Sequence, residues 1–192
     1  MYKAEEVLAA WWQARGLWWQ QDRQFDRECR RRWLSATLMA SEGALDVWLS
    51  SPETGAALII LLDPLPRCIY RGLPLAYAAD QKARSVCRSL IKLSGVSGLP
   101  LWQQLWLYQP LVNSEKVADQ QLALNLYSRL QALSDGDSAD QSMLAPFLSQ
   151  CQVSASLIQR FGRFPQRNAI LGRKSCIEEC VYLAGITGTL EL

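Results

Sequence analysis

Apolar residues recur along most of the chain at three- and four-residue steps, the spacing of one face of a helix. Val7, Leu8, Trp11, Trp12 and Arg15 follow such steps near the N-terminus. Phe25, Cys29, Trp33, Ala36 and Ala40 form one stripe, with Arg30, Arg31 and Arg32 among the charges that fill the rest. In "SSPETGAALIILLD", Ser51 is an N-cap and Pro52 occupies the first helical position, while Pro64 forces an end. "AYAADQKARSVCRSLIKLSG" predicts a helix that stops at Gly95. "LPLWQQLWLYQP" predicts a short aromatic helix closed by Pro110. "NSEKVADQQLALNLYSRLQAL" predicts a helix capped by Asn113 or Ser114, ending in the loop "SDGDSAD". "APFLSQCQVSASLIQRFG" follows, with Gly162 as its C-terminal residue. "SCIEECVYLAG" opens with Ser175 and Glu178 at capping-box spacing. Alternating, strand-like runs never exceed four residues. The expectation is an all-α fold of about eight or nine helices in one domain over residues 1–192. Short connections favour antiparallel neighbours, hence packed helical hairpins.

Composition narrows the function more than it defines it. The chain contains no histidine. That removes Ser-His-Asp and Cys-His hydrolysis and His-ligated metal sites. Six cysteines without secreted spacing imply reduced thiols and a cytoplasmic location. Cys176 and Cys180 lie four apart on a helical face, but no second pair completes a metal site, so neither metal nor cofactor is expected. The N-terminus carries Glu5 and Glu6 and does not read as a signal peptide. "AALIILL" is far too short to span a bilayer. Eight tryptophans imply a large aromatic core or binding surface.

Charge is concentrated in one place. "RFGRFPQRNAILGRK", residues 160–174, holds five cations and no acid in a chain of net charge +2. Arginine forks match carboxylates and phosphates. Arg163, Arg167 and Asn168 here, with Arg67 and Arg71 in "DPLPRCIYRG", are therefore candidate anion-binding residues. The competing reading is structural: these arginines pair with Asp63, Asp80 and Glu115 and hold a turn against the helices. Asp63 and Glu115 are also the weak candidates for a catalytic base. Glu115, in "NSE", is placed by the pattern in the first turn of a helix, where the dipole alone explains a carboxylate.

Three stretches, "ALIILLDPLPRCIYRG", "LVNSEKVADQ" and "FGRFPQRNAILGR", together with "LWWQQDRQFDRECRRRW" near the start, resemble in order and spacing the bacterial domain-of-unknown-function family 924. The resemblance covers nearly the whole chain. It implies a tetratricopeptide-like helical fold and carries no activity with it. It also implies departures: the family has histidine where this chain has Asn113, Ser154 and Gln166. Its "LLDQFPRN" is "LLDPLPRC" here. Asn and Gln can replace imidazole in hydrogen bonding but not in acid–base work.

The reading is a helical scaffold or interaction protein with an arginine-rich pocket for a small anion or an acidic peptide end. The alternative is an enzyme that clamps an anionic substrate and uses carboxylate chemistry. RNA binding is a third class, disfavoured because Arg30, Arg31 and Arg32 lie far in sequence from the second cationic cluster.

Overall fold

The structure, a computed structural model, describes residues 2–93, 95–134 and 137–188, and these contain helices and turns but no strand. Among the described residues nine α-helices follow one another: α1 (Ala4–Gln13), α2 (Arg23–Ser41), α3 (Pro52–Leu62), α4 (Pro64–Ile69), α5 (Asp80–Leu90), α6 (Leu101–Val112), α7 (Val117–Leu133), α8 (Ser138–Phe161) and α9 (Ile177–Gly188). No helix among the described residues is long and apolar enough to cross a membrane.

Helix α3 is the centre. Its side chains are apolar all round, and every residue from Gly55 to Leu62 is buried. A helix with no polar face must be enclosed on all sides. Helices α1, α2, α4, α5 and α6 do this, and α7 and α8 pack on α6 and on each other. Ser51 caps α3 by accepting a hydrogen bond from the Thr54 amide (3.3 Å), with Pro52 at the first position. Gly55 is required here, because a Cβ at this position would stand 2.3 Å from Cδ2 of Leu90. The α2 stripe buries Cys29, Trp33, Ala36 and Ala40 as its spacing predicts.

Prolines mislead in three places. Pro64 does end α3, yet it also begins α4, where a missing amide hydrogen costs nothing. Pro110 does not close α6, which continues to Val112 because Leu111 and Val112 are fully buried. The end of α6 is instead satisfied by Gln120, whose Nε2 donates to the carbonyls of Leu111 (3.3 Å), Val112 (2.8 Å) and Ser114 (2.6 Å). Pro146 lies inside α8, which starts seven residues earlier than "APFL" suggests, on an Asp137 cap. The loop read at residues 134–140 includes Asp135 and Gly136, which lie outside the described residues.

Two caps are displaced as well. Helix α7 begins at Val117, so neither Asn113 nor Ser114 caps it and Glu115 precedes it. Ser114 instead donates to buried Asp119, which also accepts from Arg88 Nε (2.9 Å). At α9 the glutamate that reaches back is Glu179, to the Cys176 amide (2.8 Å), rather than Glu178 to Ser175. Gly162 closes α8 as read, at φ +68°.

One apolar cluster runs from Ala4 to Cys151. A second, small one joins Leu157, Ile158 and Phe164 to Phe161 and Tyr182. The segment after α8 rests on this satellite and on ion pairs.

Candidate functional site

Helix α4 and the turn after it, the end of α6, the middle of α8 and the turn at Pro165–Arg167 face a common cleft of about 280 Å³. Its wall carries Arg67, Arg71, Tyr77, Gln150 and Arg167, and no carboxylate. Asn113, Ser154 and Gln166 line the same cleft. These are the three positions for which the resemblance implies histidine in the family. They are 41 and 12 residues apart, so only the fold brings them together. Asn113 ends α6, Ser154 faces inward from α8, and Gln166 sits in the last turn.

The acids stand behind the arginines. Arg67 forks onto both oxygens of Asp80 (3.1 and 3.2 Å), donates to the Asp63 carbonyl (3.0 Å), and lies 3.7 Å from the Asp63 carboxylate. Burial lowers the Arg67 pKa, but Asp63 and Asp80 outweigh that and leave it raised. Arg71 forks onto Asp26 (2.6 and 2.8 Å). Asp63, 1% exposed, accepts both hydrogens' worth of contact from Asn113 Nδ2 (2.9 and 3.1 Å). Asp80 is pushed upward by burial, with the neighbouring Asp63 adding to the shift.

Arg167 is different. Its side chain is 11% exposed, yet its one hydrogen bond among the described residues is a 3.4 Å contact with Asp80. Its guanidinium lies over the rings of Phe164 (4.3 Å) and Tyr77 (4.8 Å), which hold it in place without using its in-plane donors. Burial and the nearby Arg67 lower its pKa, although an arginine still stays charged at neutral pH. It is a cation with donors to spare, standing between this acid-free cleft and a neighbouring cavity lined by Asp80 and Glu115.

The remaining cations of the segment point elsewhere. Arg163 forks onto buried Glu179 (2.6 and 2.7 Å) and donates to the Lys174 carbonyl (2.9 Å). Arg173 forks onto Glu115 (2.8 and 3.0 Å) and reaches the Phe164 carbonyl (3.1 Å). Arg160 lies over Phe161 (4.7 Å). Asn168 caps no helix: it is 1% exposed, and its Nδ2 reaches Ser175 Oγ (3.1 Å). Arg163 and Asn168 therefore stand outside the cleft. Arg173, Glu179, Tyr77 and Gln150 belong to the arrangement, and sequence spacing did not single them out. Glu179 lies three residues after Cys176, a reach-back spacing that could have marked it.

Glu115 is a poor candidate base. Burial pushes its carboxyl up, but the bonds from Arg173 and from the Phe164 amide (2.8 Å) outweigh this and hold it below the ordinary range. All six cysteines carry free thiols, and Cys176 and Cys180 are exposed. No group of three or more metal-ligating side chains converges among the described residues.

A second cavity of about 290 Å³ adjoins the cleft and shares Arg67, Arg71, Asn113 and Gln150 with it. Its wall is aromatic: Trp11, Trp18, Trp19 and Trp106.

Comparison with known proteins gives the chain relatives but no activity. No curated protein matches it. A solved structure of a protein of unknown function from Agrobacterium tumefaciens is similar at 31% identity and a TM-score of 0.83, covering 94% of this chain and 96% of that one. The model of a family described as bacterial protein of unknown function (DUF924) matches residues 7–186. The chain belongs to the DUF924 family.

Proposed function

We propose that the protein is a helical binding module whose cleft holds a small oxyanion, a carboxylate or phosphate, with Arg167 as the principal contact and Arg67 and Arg71 beside it. The observation that carries this is the state of Arg167. It is nearly buried, has a single long hydrogen bond, and lines with Arg67 and Arg71 a cleft wall that carries no acid. Desolvating a cation that is paired through only one long contact is costly, and a bidentate anion would offset that cost.

Catalysis by carboxylate chemistry has weaker support. Asp63 is held by Asn113 and Arg67, and Glu115 is held low by Arg173 and the Phe164 amide. RNA binding has the least, since Arg31 is paired with Glu28 and Arg30 reaches the Ile69 carbonyl. A tetratricopeptide-like stack is supported by contacts between helices adjacent or next-but-one in order, such as α1 with α3, α6 with α7, and α6 with α8. A cytoplasmic location is supported by the six free thiols. One domain over the chain is supported by a core cluster that spans Ala4 to Cys151.

The test is thermal stabilisation by acetate and by inorganic phosphate. Wild-type protein and Arg163→Ala should show saturable stabilisation by at least one of them, and Arg167→Ala should lose it. Equal stabilisation of Arg167→Ala and wild type refutes the site.

A further inference from the structure

We infer that the natural ligand is an aromatic monocarboxylate, its carboxylate on Arg167 and its ring in the adjoining tryptophan cavity; this rests on the oxyanion reading above and narrows it. The two cavities share four lining residues, so they form one groove with a cationic end and an aromatic end.

The aromatic end is built from four indoles, Trp11, Trp18, Trp19 and Trp106. Trp11 and Trp106 are 4% and 5% exposed, and both line the cavity. Their Nε1 donors are buried and have no hydrogen-bond partner among the described residues. Trp18, by contrast, donates its Nε1 to the Trp11 carbonyl (3.0 Å). Buried indole N–H groups usually find an acceptor. Both nitrogens are buried away from the cavity, and the two rings pack edge-on at 5.1 Å, so what the cavity offers a ligand is indole surface rather than a donor. Trp19, 46% exposed, is stacked on Trp106 at 6.1 Å and meets Phe147 edge-on at 4.8 Å. It closes the outer side of the cavity. Flat rings suit such a wall, because offset and edge-on contacts between rings are both favourable.

The charge of the head follows from which cations are already matched. Arg67 is committed to Asp80 through Nη2 and to the Asp63 carbonyl through Nη1, and Arg71 to Asp26 through a two-nitrogen fork. Arg167, with one long contact to Asp80, is the least matched of the three, which leaves about one cation's worth of attraction. Asp63 lines the aromatic cavity and would repel a second negative charge there. A planar carboxylate also matches the guanidinium fork.

The experiment is a titration of the full chain, followed by tryptophan fluorescence and calorimetry. The probes are 2-naphthoate, acetate, 2-naphthylmethanol and 2-naphthyl phosphate. Expected are naphthoate binding about a hundredfold tighter than acetate and at least about tenfold tighter than the neutral alcohol. Arg167→Ala should weaken both carboxylates about tenfold or more, and Trp19→Ala should weaken naphthoate alone by about three- to tenfold. Trp19 is half exposed, so its removal leaves the fold intact. Should Arg167→Ala not fold, Arg167→Lys, which keeps the charge but loses the fork, is expected to weaken naphthoate by at least about threefold. Arg167-dependent acetate binding with naphthoate no tighter overturns the aromatic ligand and leaves the oxyanion site standing. Naphthyl phosphate binding more than about tenfold tighter than naphthoate overturns the single charge. Naphthoate binding that ignores Arg167, or no binding of any anion, overturns both readings.

Discussion

Helix α3 and the segment from Arg160 to the end of α9 lie at the two extremes of how this molecule holds a helix. From Gly55 to Leu62 every side chain of α3 is buried among apolar neighbours. The C-terminal segment adds Phe164, with half-buried Phe161 and Tyr182, to a small cluster completed by Leu157 and Ile158 of α8. It is fastened instead by Arg163 to Glu179, Arg173 to Glu115 and Arg167 to Asp80. Apolar burial is non-directional and indifferent to salt and pH. A carboxylate clasp depends on both, and on the geometry of each pair. The cleft lies where the second kind of attachment meets the first, so the fastening that holds the C-terminal turn also sets one wall of the site.

The comparison breaks most visibly in α3. Leu61→Ala, which empties a fully buried position, should cost about 2–5 kcal/mol in denaturant unfolding of the whole chain. Gly55→Ala should cost about 1–3 kcal/mol, because the new methyl group meets Leu90 in a closed core. A melt of Gly55→Ala at the wild-type midpoint would mean that Leu90 has room to move. Arg173→Ala should act locally. Loss of its bonds to Glu115 and the Phe164 carbonyl should cost about 1–3 kcal/mol, read as faster amide exchange within residues 160–188. Exchange that accelerates equally in α3 would remove the distinction between the two regions.

The smallest effect is a pH dependence confined to the same segment. Hydrogen bonds from Arg163 and from the Cys176 amide hold the Glu179 carboxyl down at about 2. An unfolded glutamate titrates near about 4.3. A depressed carboxyl stabilises the fold fully above that unfolded value, and the stabilisation fades as pH falls toward about 2. Protection of the α9 amides, relative to their intrinsic exchange rates, should therefore fall between roughly pH 4.3 and 2 while α3 stays protected. Glu179→Gln should already show weakened protection at neutral pH and a flatter acid response. An unchanged acid response in that variant would assign it to another carboxylate.

The helical class and several helix ends were legible because they depend on local chemistry. The stripe of α2, the Ser51–Pro52 start of α3 and the glycine at the end of α8 each follow from residues within one or two turns. Helix ends set by distant partners were not. Gln120 caps α6 from another helix, and buried neighbours carry α6 past Pro110. Asp63, Asp80 and Glu115 were the acids nearest in argument to the arginines, and each does meet one. Which arginine meets which acid was beyond reach, since Glu179 rather than any of those three takes Arg163.

By itself the sequence determined an all-helical chain, a chemistry without imidazole, a cationic segment at residues 160–174, and the tryptophans from which one wall of the groove is made. The tertiary structure alone decided that Asn113, Ser154 and Gln166 share one cleft, and that of five clustered cations Arg167 is the one that lines it, nearly buried and with a single long hydrogen bond. The physical reason is range. Helix formation and capping are settled by residues a few positions apart, whereas the partner of a charge is whichever opposite charge the packing of α3 and α6 delivers to it.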